Sequence, residues 1–229
     1  MLRQKKTIVL CVLLIVTSVL LVACTTIFDQ YKDYIAEYRP DLYLYKTEEY
    51  EIEVASGWRE KDFALDGIVG NKVDFIIITV VPTNGIVDAM TLDYELSVDE
   101  QSFGGKMTQH PFRENFSAEI VSRTNSRPIT LKLRSKDKEI GRYNMQVSIT
   151  PNMIDASRAL EVAVDKLKSQ IKGMTINGKL NGEVYVLFVK NPVDDNGTLF
   201  WYVAFVNTSS DTYAVLIDPI TEQVLAQHV

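Results

Sequence analysis

The sequence predicts a mostly β chain in two parts, a β-sandwich and then a small α+β unit with one helix on an antiparallel sheet. Three observations carry this reading. From residue 41 to 151, short apolar stretches alternate with turn signals, and no long helical pattern interrupts them. From Ala156 to Ile171, apolar residues recur at three- and four-residue steps. After that helix, apolar stretches resume, separated by Pro, Asn, Asp and Gly turns.

In the first part the candidate strands are Leu42–Lys46, Tyr50–Val54, Phe63–Leu65, Val73–Val80, Met90–Val98, Phe116–Ser122, Ile129–Leu133 and Tyr143–Thr150. Leu92/Tyr94/Leu96 and Ile129/Leu131/Leu133 alternate with polar residues, so one set faces a core and the other faces water. Regular spacing of this kind favours two packed sheets. Phe75 to Val81 is apolar on both faces, which places it as a central strand, and Pro82-Thr83-Asn84-Gly85 closes it with turn residues.

Pro151-Asn152 ends the strand pattern. In the helix that follows, Asp155 is placed to cap the start and Gly173 to end it, while Arg158, Glu161, Asp165, Lys166, Lys168 and Lys172 form the wet face. The sheet is then Glu183–Val189, a hairpin turn over Pro192 to Gly197, Leu199–Asn207, Tyr213–Ile217 and Gln223–Gln227. The organisation read from these signals is 1–23, 24–40, 41–151 and 152–229.

The first two of those segments have a different chemistry. Arg3, Lys5 and Lys6 precede an uncharged, apolar stretch from Thr7 to Val22, the pattern of an export signal. Leu21-Val22-Ala23-Cys24 resembles the lipobox of bacterial lipoprotein signal peptides. The resemblance implies that residues 1–23 are removed, that Cys24 carries a diacylglycerol, and that the chain is held at the extracytoplasmic face of the cell membrane. Stable anchoring takes two acyl chains or more, which such a cysteine supplies. The alternative is an uncleaved transmembrane helix, since the apolar stretch sits at the short end of the spanning range. Ile27, Phe28, Tyr31, Ile35 and Tyr38 then repeat at helical spacing through the juxtamembrane segment 24–40. The crowd of tyrosines from Tyr31 to Tyr50 fits either a membrane-proximal belt or packing of this segment onto the sandwich.

Composition excludes several function classes. Cys11 and Cys24 are the only cysteines, so the folded part has no disulfide and no thiol chemistry. Of 24 basic residues, the three in the leader are lost on cleavage, leaving 21 against 30 acids, a balance of −9 that argues against nucleic acid as a partner. Only His110 and His228 are available for histidine chemistry, the first in a turn-rich stretch and the second at the penultimate position. No His-x-x-x-His or Cys-x-x-Cys spacing exists, so no zinc site is expected. Asp194-Asp195-Asn196-Gly197 lacks the alternate oxygen ligands of a calcium loop and reads as a turn. Gly104-Gly105-Lys106 lacks the rest of a phosphate loop. The acidic pairs Glu48-Glu49 and Asp99-Glu100 read as solvated strand ends, and Trp58 and Trp201 as packed strand residues. No cofactor and no metal are expected.

The last third of the chain resembles a PepSY-type domain. The residues that carry this are Trp201 in the strand Trp201–Phe205, Tyr213 opening the next, and Asp218, Thr221, Val224 and Leu225 along a final hairpin. In that family the hairpin reads approximately V-D-x-x-T-G-x-V-L, and Glu222 stands here where the family has glycine. The resemblance implies an extracytoplasmic module that binds, and in some members restrains, peptidases or envelope enzymes, with no activity of its own. Met90 to Thr150 is similar, by pattern alone, to immunoglobulin-like sandwich modules of bacterial surface proteins. The expectation is a non-enzymatic, lipid-anchored binding or regulatory protein of the bacterial envelope with a protein partner. Two alternatives stand beside it: a small-ligand binder with a cleft between the two parts, and an envelope hydrolase built on carboxylates, which needs two acids on one cleft with separated pKa values.

Overall fold

The computed structural model describes residues 26–62, 65–84, 91–136, 138–191 and 197–229. Helix α1 (Ile27–Tyr31) and a 3-10 turn (Lys32–Tyr34) lead into β1 (Ile35–Lys46), β2 (Tyr50–Glu60), β3 (Lys72–Pro82), β4 (Asp93–Val98), β5 (Gln101–Lys106), β6 (Thr108–Gln109), β7 (Phe116–Ile120), β8 (Ile129–Ser135) and β9 (Lys138–Met145). Helices α2 (Ala156–Lys166) and α3 (Lys168–Met174) come next, then β10 (Thr175–Ile176), β11 (Lys179–Leu180), β12 (Gly182–Lys190), β13 (Leu199–Asn207), β14 (Thr212–Ile217) and β15 (Val224–His228).

The chain is mostly β, and its main feature is one nine-stranded mixed sheet in the order β15-β14-β13-β12-β1-β2-β3-β7-β6. A four-stranded sheet, β5-β4-β8-β9, is separate, and β10 and β11 form a small ribbon. All neighbours in the large sheet are antiparallel except β1 and β12, which run parallel with Ile35 opposite Val184. The large sheet therefore runs without interruption from the N-terminal strands into the C-terminal meander. The apolar stretch from Phe75 lies in β3, between β2 and β7, with Phe75, Ile76, Ile78 and Val80 buried.

Two cores form on this sheet. One packs Tyr43, Val54, Ile76, Ile78 and Phe116 against Leu96, Leu131 and Leu133 of the four-stranded sheet. The other packs α2 and α3 onto β12–β14, with Leu160, Leu167 and Ile171 against Val184, Val186, Phe188, Trp201, Val203 and Phe205. Neighbouring residues of β1 serve different cores, Leu42 the helical one and Tyr43 the one against the four-stranded sheet, as alternation along a strand requires. The alanines Ala156, Ala159 and Ala163 let α2 lie close to the sheet, and each fully buried large side chain contributes about 1.5–3 kcal/mol.

Several expectations change. The helical spacing from Ile27 to Tyr38 holds only at its start, where Ile27, Phe28 and Tyr31 are helical, whereas Ile35 and Tyr38 lie in β1. Tertiary pairing outweighs the local pattern here, because β1 has a strand on each side and Tyr38 stacks on Trp58 at 5.5 Å. The helix after Asp155 breaks at Leu167 (φ −98, ψ 17), and Gly173 lies inside α3 rather than beyond its end. Asp155 caps as expected, accepting from Arg158 N at 2.8 Å. Strand β9 stops at Met145, so the stretch Tyr143–Thr150 is only partly a strand. Phe63, Ala64, Met90 and the turn residues Pro192–Asn196 lie outside the described residues, and Leu65 is irregular. The polar, glycine-bearing β5 was not expected, since it has no apolar alternation to announce it.

A bulge in β1 between Tyr38 and Asp41 shifts its register against β2. Pro40 lies in the bulge and has no N–H to give to a ladder. Opposite it, a Cβ on Gly57 would stand 2.0 Å from the Tyr38 carbonyl oxygen, so only glycine fits.

Candidate functional site

Two regions concentrate chemistry, and both arise where β1 meets β12. Their pairing ends at Arg39 opposite Leu187, although both strands continue, and a wedge opens between them. The segment after β9 threads this wedge. Ser148 N donates to the Leu42 carbonyl at 2.7 Å, Val147 packs with the core against the four-stranded sheet and Ile149 with the helical core. Beyond that crossing lies a cavity of about 400 Å³, walled by Leu44, Ile52, Val81 and Thr79 and bordered by Lys46, Glu51 and Lys190. Glu51 pairs with Lys46 and, at 3.3 Å, with Lys190. The bond from Lys46 chiefly, with Lys190 adding to it, holds the Glu51 carboxyl below the usual carboxylate range. An apolar floor with a charged rim suits a small amphiphilic ligand.

The second region lies at the other end of the β1–β12 pairing. Glu183, at the start of β12, is fully buried, and Glu60, at the end of β2, is nearly so. Glu183 Oε2 accepts from the Tyr185 hydroxyl at 3.0 Å, and Glu60 Oε1 accepts from Gly70 N at 2.6 Å. Among the described residues, Glu183 Oε1 and Glu60 Oε2 have no hydrogen-bond partner. Burial pushes the Glu183 carboxyl up, and the negative charges of Glu60 and Asp66 push the same way against the Tyr185 hydroxyl and the Gly67 amide. Burial, then Glu183 itself, also raises the Tyr185 phenol. A recess of about 310 Å³ beside this pair is lined by Ala36, Glu37, Arg59, Glu60, Lys61 and Tyr185.

A third buried acid behaves differently. Asp41 accepts from Thr124 Oγ1 at 3.0 Å, from Ser126 N at 2.9 Å and from Ser126 Oγ at 2.5 Å, so both of its oxygens are used. It fixes the loop before β8, in which Asn125 and Ser126 both take positive φ, and Tyr43 adds a 2.6 Å bond to the Arg127 carbonyl. This is an anchoring arrangement in which neither oxygen is left without a donor.

The residues singled out from sequence fall as follows. Leu21, Val22, Ala23 and Cys24 lie outside the described residues. The described chain opens at Thr26, which closes a capping box with Asp29, and Phe28 and Tyr31 pack onto the helical core, Tyr31 edge-on to Phe205 at 5.5 Å. Trp201 is fully buried in β13, its indole N–H donating to the Ile154 carbonyl at 3.0 Å. Tyr213 packs at the margin of the same core. Asp218 Oδ1 accepts from Ile220 N and Thr221 N at 2.8 Å each, bonds that hold its carboxyl below the usual range and shape the turn into β15. Val224 is half-buried and Leu225 exposed on β15, the last strand of the sheet. Glu222 takes φ +61, and its carboxylate receives two bonds from Arg158, at 2.9 and 2.7 Å.

His110 is spent locally, its Nδ1 accepting from Phe112 N at 3.1 Å, and His228 is exposed at the end of β15. Asp99 pairs with Arg127 at 2.8 Å across an exposed turn. Among the described residues no three His, Cys, Asp or Glu side chains converge as a metal site, and no helix is long and apolar enough to cross a membrane. Sequence reasoning missed Glu60 and Glu183. The only signal was an acid opening the otherwise apolar run from Glu183 to Val189. No family model matches the chain, and no curated protein or solved structure is significantly similar to it.

Proposed function

We propose that the chain is a lipid-anchored, extracytoplasmic binding protein of the bacterial envelope, held through a diacylglycerol on Cys24 and acting without catalysis by restraining a partner such as an envelope peptidase. The observation that carries this is the basic, then apolar, leader that ends in Leu21-Val22-Ala23-Cys24. Thr26 caps α1 two positions after Cys24, and Phe28 and Tyr31 fasten α1 to the core, so the anchor and the folded body are joined with almost no tether. The PepSY-like reading of the C-terminal unit draws support from Glu222, whose positive φ is the conformation that the glycine of that family's turn would supply at no steric cost. In the same reading, β4, β5, β8 and β9 with the strands beneath them form the immunoglobulin-like sandwich, and the exposed edge of β15 is the surface for strand addition.

Intact mass of the membrane-extracted protein beside a Cys24→Ala variant tests the anchor. The expected result is a mature N-terminus at a diacylated Cys24 that the variant lacks. A full-length mass with Met1 or Leu2 retained would replace the lipid anchor with a transmembrane one. A second reading, a small-ligand carrier, is favoured by the 400 Å³ wedge cavity, which lies between residues of both parts of the chain. It requires a ligand-dependent rise in melting temperature that a bulky replacement of Thr79 abolishes.

A further inference from the structure

Glu60 and Glu183 are taken out of water on terms that Asp41 is not. Among the described residues, each keeps one carboxylate oxygen without a partner, and neither forms an ion pair with a Lys or Arg. What they hold instead is backbone. Gly70 N bonds Glu60, and the Gly67 amide lies close enough to Glu183 to stabilise its charge. Both glycines sit tightly. Gly67 has φ +78, and a Cβ there would come within 3.1 Å of Thr208 and 3.3 Å of Gly182 N, while a Cβ on Gly70 would come within 3.0 Å of Glu60 Oε1. The segment 65–71 is thus pressed onto the ends of β2 and β12 by two acids, with Ile68 left exposed at its crest.

We propose that Glu60 and Glu183 form a proton-controlled clasp: with Glu183 neutral, segment 65–71 lies closed over the ends of β2 and β12, and ionisation of Glu183 releases it. A neutral carboxyl tolerates the dry site, whereas a carboxylate there lacks the hydration and the cation that burial of charge demands. No Lys or Arg among the described residues pairs with Glu183, although Lys72 lies near enough to Glu60 to feel its charge. From β1, Glu37 faces the site and lies 3.9 Å from Arg39. From β2 and its end, Arg59 is bound to Glu119 at 2.6 Å, and Lys61 lines the recess. From β3, Lys72 stands over the Trp58 ring at 4.2 Å and donates to the Lys32 carbonyl. From the segment itself comes Asp66, another negative charge.

The direction follows from linkage. Glu183 binds its proton more tightly in the closed form, where its second oxygen is buried without a partner, than in an open form that gives this oxygen water. Closure is therefore favoured at low pH and weakens as pH rises, by up to about tenfold per pH unit across the interval between the two forms' values. The clasp is independent of how the chain is anchored.

Hydrogen exchange of the full-length protein at pH 5, 6.5 and 8, corrected for intrinsic rates, reads this directly. Peptides covering 65–71 lose protection with rising pH while β8 peptides do not, and Glu183→Gln keeps 65–71 protected throughout. Tyr185→Phe removes a donor to the ionised form, so release moves to higher pH. Protection at 65–71 that is independent of pH in the native chain, or a Glu183→Gln variant that tracks it, would overturn the proposal, as would a Tyr185→Phe shift to lower pH.

Discussion

At Glu222 two local effects oppose each other. The left-handed backbone costs a residue with a Cβ about 1–2 kcal/mol, while the side chain gains an exposed ion pair with Arg158 that salt screens. Glu222→Gly should thus raise the unfolding midpoint in high salt and raise it less, or not at all, in low salt. Urea melts at two ionic strengths separate the cases. Gly57 carries the opposite risk. Alanine there must push the Tyr38 carbonyl aside, and the expected loss is about 1–3 kcal/mol, read as a lower denaturation midpoint at unchanged slope. Asp41→Ala strips Ser126 N and Thr124 Oγ1 of their acceptor. A loss of about 2–4 kcal/mol is expected, with the loop before β8 becoming the first site of proteolysis; an unchanged midpoint would mean that Tyr43 and Ser56 hold the loop without it.

Elements differ in how openly the sequence announces them. The C-terminal meander is legible nearly residue by residue, because β12, β13 and β14 are apolar runs closed by Asn, Asp and Gly, and local signals suffice for hairpins. The capped start of α2 is legible for the same reason, since Asp155 acts within its own turn. Strand β1 is not. Its identity depends on β12, far away in sequence, and its aromatic residues fit a helical stripe as well as a strand until that partner is present. The Glu60–Glu183 site is hidden by the same cause, as it draws one acid from β2, one from β12 and its amides from a segment between β2 and β3. Even α2's sharp end at Leu167 escapes periodicity, because apolar spacing continues through the break into α3. Replacing Leu167 with alanine should expose this joint. Its fully buried side chain joins the helical core, and the expected cost is about 2–5 kcal/mol, measured by chemical denaturation.

For the whole molecule, the parallel pairing of β1 with β12 makes the two halves depend on each other. A fragment of residues 26–151 keeps the sandwich core but leaves β1 with a bare edge over Ile35–Arg39 and Ile35 without its helical core. It should associate or precipitate alone and become monomeric when the 152–229 fragment is supplied; size-exclusion chromatography of each, separately and mixed, gives the answer. A monomeric, cooperatively melting 26–151 fragment would show that the sandwich stands by itself. The same pairing sets a timetable. A chain that emerges N-terminus first presents β1 early, yet its parallel neighbour arrives only after α2 and α3 have left, so the middle of the sheet stays open long after β1, β2 and β3 can pair. Long-range pairing of this kind slows folding. A helper that shields the Ile35–Arg39 edge during that delay would raise the yield of folded protein without touching the finished molecule.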